Sequence, residues 1–170
     1  MSAQPISTAV PPKGIVATLS GFYAKFKNLS SKLESPFLLL VRLYWGWQFM
    51  QTGWGKLHRI SQVGDFFASL GIPAPHVMAP AIASLEFFGG ILLIVGLATR
   101  LTGLLLACNM LTAYITADRD ALWSILRDPG KFYVADPFTF MFASLIVFIF
   151  GAGYFSLDYL ISRQRNLSSK

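Results

Sequence analysis

The chain has 170 residues, of which 54% are hydrophobic and 13% charged, and a formal net charge of +6. A charged fraction near half the soluble norm of about 25% excludes an ordinary soluble domain. The basic excess needs no nucleic acid, because cytoplasmic loops and anionic lipid headgroups account for it.

Residues 1–14 (MSAQPISTAVPPKG) lack the apolar core of a secretory signal and break at Pro11-Pro12, so a disordered tail is expected. From residue 15 to 34, Ile15, Leu19, Phe22, Phe26, Leu29 and Leu33 recur at helical spacing, with Lys25, Lys27 and Lys32 beside them. That pattern predicts an amphipathic helix lying in the cytoplasmic interface or packed on a partner subunit. Ser35 and Pro36 are the expected N-cap and first-turn residues of the next helix.

Four apolar runs follow, at about 36–55, 77–97, 101–117 and 137–157. Each approaches the roughly 20 residues needed to cross about 30 Å of hydrocarbon. They are continuous rather than alternating, which excludes a β-barrel. The expected fold is therefore an all-α integral membrane protein, a four-helix transmembrane bundle over residues 35–160 with a basic tail at 161–170. Between the first two spans, 61–70 predicts a short helix with Val63, Phe66, Phe67 and Leu70 on one face, closed by Gly71 and Pro73. Between the last two, Asp120 is the expected cap of a helix to Arg127, Asp128-Pro129-Gly130 a turn, and Asp136-Pro137 a helix start.

Lys13, Lys25, Lys27, Lys32, Arg100, Arg163, Arg165 and Lys170 all fall on one side of such a bundle. The other side has Lys56, Arg59, Arg119, Arg127 and Lys131, balanced by Asp65, Asp118, Asp120, Asp128 and Asp136. The positive-inside rule then places both termini in the cytoplasm, with the bilayer as the first partner.

The candidate site comes from polar groups inside the spans, where each costs roughly 2.5–3.5 kcal/mol unless paired or facing a cavity. The first span holds Arg42, Gln48 and Gln51, the second Glu86, the third Asn109. Arg42, Gln51, Glu86 and Asn109 are the candidate ligand-binding set or buried polar core. Arg42 can reach inward to Glu86 or extend to the headgroups. The alternative to a ligand site is a polar lock that fixes helix register. Lys56 and Asp118 end their spans on the same surface and are a candidate pair at the bundle mouth. Trp45, Trp47, Phe49 and Trp54 could stack on a flat ring, although an aromatic belt accounts for Trp54. His58 and His76 have no metal-ligand spacing, and Cys108 is a lone cysteine, so no metal centre or paired-thiol relay is expected.

The stretches RLYWGWQFMQTGWGKL (Arg42 to Leu57), DFFASLGIPAP (Asp65 to Pro75), LEFFGGILLIVGLATR (Leu85 to Arg100) and GAGYFSLD (Gly151 to Asp158) resemble the DoxX family, over roughly residues 36–160. The resemblance implies a four-helix bundle in a bacterial inner membrane, often associated with redox enzymes. One relative, the small subunit of a thiosulfate:quinone oxidoreductase, suggests a quinone as ligand. Fold carries over better than activity in such a case. Three readings therefore stand: a redox-complex subunit that is not an enzyme by itself, an assembly or anchoring subunit of a larger complex or homo-oligomer, and a small proton-linked carrier.

Overall fold

The computed structural model describes residues 14–168, apart from the side chains of 15–18. The tail expected at 1–14, except Gly14, lies outside the described residues. The chain divides into two compact units, residues 1–34 and 35–170. Every regular element among the described residues is helical. In the first unit, residues from Ile15 onward are helical, and Leu19, Phe22, Phe26, Leu29 and Leu33 are 59% to 72% exposed.

The first helix, α1 (Ile15–Leu57), runs through Ser35 and Pro36, so the helix boundary expected there is absent. A proline inside a helix removes the N–H that would bond to residue i−4, here Lys32, and neighbouring groups can make good that loss in an apolar setting. Ser35 does not cap, because its hydroxyl accepts from the Tyr154 N–H at 3.1 Å.

The second unit continues with α2 (Ile60–Ser69), α3 (Pro75–Val95), α4 (Thr99–Thr116), α5 (Arg119–Trp123), α6 (Pro129–Val134), α7 (Pro137–Phe150) and α8 (Leu157–Ser168). The turn after α2 follows expectation: Gly71 takes φ +73° and its N–H returns to the Ala68 carbonyl. Two other expectations are corrected, the loop between the last two long helices and the length of the fourth run. Asp118, not Asp120, precedes α5, which ends at Trp123, and Asp128 caps a separate helix by accepting from the Lys131 N–H. The fourth apolar run stops being helical at Gly151, where φ is +83°, a conformation open to glycine at little cost. The basic tail is helical as α8.

One core joins the long helices: Phe49 of α1, Leu93 of α3, Leu106 and Met110 of α4 and Val147 of α7 are buried together. Glycines set the spacing. A Cβ at Gly90 would lie 2.5 Å from the Gly46 carbonyl oxygen, and one at Gly53 would lie 2.3 Å from the Phe87 nitrogen. Small residues in this pattern let two backbones touch, the usual means of close helix packing in lipid. A second cluster covers one end, where Tyr114 stacks on Phe132 at 5.1 Å and donates to its carbonyl at 2.7 Å.

The outward face is apolar. Leu40, Leu43, Trp47, Phe88, Leu105, Leu111, Phe142 and Ile149 are all exposed, more apolar surface than a soluble monomer presents. Among the described helices, α3 is the one long and apolar enough to cross a bilayer by length and composition, while α7 is apolar but shorter.

Candidate functional site

The closely packed pair α1 and α3 runs antiparallel, and its glycines dictate which side chains meet. With Gly46 against Gly90, Arg42 falls opposite Ile94, about two turns or 12 Å along the axis from Glu86. Arg42 cannot span that distance, and the Arg42–Glu86 pairing considered from sequence does not form. Lys56, beyond the Gly53 contact, bends back instead. Its Nζ donates to both oxygens of Glu86, at 2.6 Å to Oε1 and 2.7 Å to Oε2. The Lys56–Asp118 contact is likewise replaced by this one, the single ion pair among the described residues. The Nδ2 of Asn109 on α4 donates to Oε1 at 2.9 Å. Three helices thus converge on one carboxylate, which is 1% exposed, while the Lys56 side chain keeps 34% of its surface.

This triad forms the polar end of a cavity of about 190 Å³. Its walls are mostly apolar: Phe66 and Phe67 of α2, Leu70 just after it, Ile82 of α3, Met110 and Ala113 of α4. Residues 61–70 therefore turn their apolar face to the bundle. The packing of α2 on α3 is tight, since a Cβ at Gly64 would sit 2.6 Å from Nδ1 of His76. The aromatic groups at the cavity are Phe66 and Phe67. Phe49 is wholly buried in the core, Trp45 lies edge-on to Phe140, and Trp47 and Trp54 face outward. Gln51 also faces outward and is not part of the polar cluster. Asp118 stands half-buried at the start of α5.

The chemistry left over by the triad can be counted. A lysine ammonium has three protons and two face Glu86, so one N–H remains. Asn109 keeps its second N–H and its Oδ1. The cavity therefore presents two donors and one acceptor at one end of an apolar chamber.

Arg42 builds a second node at the other end of the bundle. It is 1% exposed. Nε donates to the Leu93 carbonyl at 2.9 Å and Nη2 to Ile94 at 3.2 Å, two of the four carbonyls that the end of α3 leaves unpaired. Nη1 donates to the carbonyls of Ala152 and, at 3.1 Å, Phe155. Asp158, which the sequence did not single out, completes the node: Oδ1 accepts from the Ala98 N–H and Oδ2 from the Thr99 N–H, both at 2.8 Å, capping α4 from sixty residues away. Burial pushes the Asp158 carboxyl up, but the Thr99 and Ala98 N–H groups and the Arg42 guanidinium outweigh it and hold it below the usual aspartate range. With its donors occupied by backbone, Arg42 ties the chain together and is separate from the cavity.

Residues 37–119 match the DoxX family model. The protein named "Putative oxidoreductase CatD" from Bacillus subtilis (strain 168) is 40% identical over 78 residues, which cover 46% of this chain and 57% of that protein. "Inner membrane protein YqjF" from Escherichia coli (strain K12) is 28% identical over 134 residues, covering 78% of this chain and 98% of that protein. No solved structure matches. Arg42, Lys56, Glu86 and Asn109 all lie within the matched segment; Asp158 lies beyond it.

Proposed function

From a chain that carries a DoxX domain at residues 37–119, we propose a four-span inner-membrane protein that holds the ring of an apolar quinone-like molecule in the α2–α3–α4 cavity, as a subunit of a redox system. The spans are α1 from Pro36, α3, α4 and α7, with both termini cytoplasmic by the charge distribution. The relatives favour this setting, one being named for an oxidoreductase and the other for the inner membrane. The reading rests on one observation: the only ion pair among the described residues faces an apolar chamber of about 190 Å³.

Size and polarity fit a single-ring headgroup. An apolar cavity of about 150 Å³ accepts benzene, and a ring carbonyl would find donors in Lys56 and Asn109. The hydroxyls of the reduced ring would donate a hydrogen bond to Oδ1 of Asn109. Such a site can hold both redox states, and the bound ring would supply the two-electron chemistry that no side chain here offers. Glu86 holds the Lys56 ammonium at the cavity end. Electrons then come from a partner protein.

The full occupancy of Glu86 by its own neighbours favours a second reading, in which the triad only locks helix register in an anchoring subunit. Extraction in native lipid followed by mass spectrometry of small molecules and co-purifying proteins separates the two. Parent chain retaining a quinone, with loss in an Ala113→Phe variant that fills the cavity, supports the ligand reading. Equal small-molecule content in parent and variant, with the same partner complex, leaves the lock alone.

A further inference from the structure

The helical residues of the first unit lie outside the DoxX match, and the apolar side chains of Leu19, Phe22, Phe26, Leu29 and Leu33 are uncovered. At 3.6 residues per turn, Leu19, Phe22, Phe26, Leu29 and Leu33 form one narrow stripe. Lys25 and Lys32 border it on one side, and Lys27 and Tyr23 on the other; all four are exposed. Glu34 is the only acid among residues 1–34. The 4-3-4 spacing is also that of a two-helix seam between copies. A coiled coil, however, draws its specificity from opposite charges beside the seam, and here Lys25 and Lys32 would face only Tyr23 and Ser30. Cations flanking an apolar stripe, with no acids to answer them, complement a negatively charged lipid surface.

We infer that residues 19–34, free to bend where Pro36 interrupts the hydrogen-bond ladder, form a lipid-reading helix, whose stripe enters the headgroup boundary of an anionic bilayer while Lys25, Lys27 and Lys32 bind phosphates of acidic lipids. This rests on the membrane-spanning reading above. Each lysine near such a surface favours the bound state about fivefold, so binding should respond steeply to lipid charge and to salt.

The test uses the full chain in nanodiscs of phosphatidylcholine alone or of an equal mixture with phosphatidylglycerol. Limited chymotrypsin cleavage after Phe22, Tyr23 and Phe26 is followed by mass spectrometry. Cleavage should slow about tenfold or more in the anionic discs. A Lys25→Gln/Lys27→Gln/Lys32→Gln variant, which leaves every chymotrypsin site in place, should lose that difference, and high salt should weaken it in the parent. Equal cleavage of the parent in both discs overturns the inference. So does protection that ignores lipid charge and appears only with two copies per disc, which would place a second chain on the stripe. A chain that fails to enter either disc would sink the membrane-spanning reading and the lipid-reading helix with it.

Discussion

The Lys56–Glu86 contact is asymmetric, and that asymmetry can be measured. A charge pair at 2.6 Å has a gross attraction of about 6 kcal/mol at an effective dielectric of about 20. Glu86 is 1% exposed and cannot reach water, whereas Lys56 is 34% exposed and can turn outward. Replacing Lys56 with Met leaves a buried carboxylate held by Asn109 alone. After discounting for the screening that a partly exposed ammonium feels, the loss is about 3 kcal/mol. Glu86→Gln keeps a partner for Asn109 and frees Lys56 to solvent, costing about 1 kcal/mol or less. The double variant should lie within about 1.5 kcal/mol of the parent, a coupling above about 2 kcal/mol. Unfolding by SDS titration in mixed micelles, read by tryptophan fluorescence, gives all four values. If Lys56→Met unfolds like the parent, or if the two single losses simply add, the reasoning fails.

Gly53→Ala should lower stability by about 1–2 kcal/mol in the same titration, since the new Cβ meets the Phe87 backbone at 2.3 Å. Gly55→Ala, with nothing within 4 Å, should instead gain up to about 1 kcal/mol; a loss at Gly55 equal to that at Gly53 would remove the packing explanation. Arg42→Lys should cost about 2–3 kcal/mol, because one ammonium cannot serve carbonyls on two segments, and a neutral result would show the carbonyls are otherwise satisfied. Asp158→Asn should cost about 1–2 kcal/mol at pH 7. Because the folded-state pKa of Asp158 is depressed, its contribution is complete above the unfolded value near 4 and disappears as pH falls through the lower folded value. The gap between Asp158→Asn and parent should therefore close in acid, and a constant gap across that range would contradict the assignment.

The positions of the helices were legible because apolar runs and punctuation agree: Gly71 and Pro73 end α2, and Pro137 begins α7. That Glu86 and Asn109 have partners inside the protein was legible because a buried charge or amide has few alternatives. Their actual partner was hidden by depth. Arg42 and Lys56 share a face of α1, and only the contact of Gly46 with Gly90 decides which of them reaches Glu86. The glycines themselves were visible, and pairing them across the two helices would have fixed that register. Asp158 gave no such signal, since its capping targets at Ala98 and Thr99 are set by the fold rather than by neighbours in sequence. Pro36 misled for the opposite reason, a local breaker overridden by its surroundings.

The early end of α7 leaves it much shorter than α3. At about 1.5 Å per residue, its 14 residues cover about 21 Å, against about 32 Å for the 21 residues of α3. The shortfall lies at the Arg42 end, where the carbonyls of Ala152 and Phe155 find in the guanidinium the partner that water would otherwise supply. On the four-span reading proposed above, the bundle would offer the bilayer a wall of unequal height. With α7 as a span, acyl chains beside it would shorten or tilt there, and unfolding resistance should rise in shorter-chain lipids, as the same titration in bicelles of graded chain length would register.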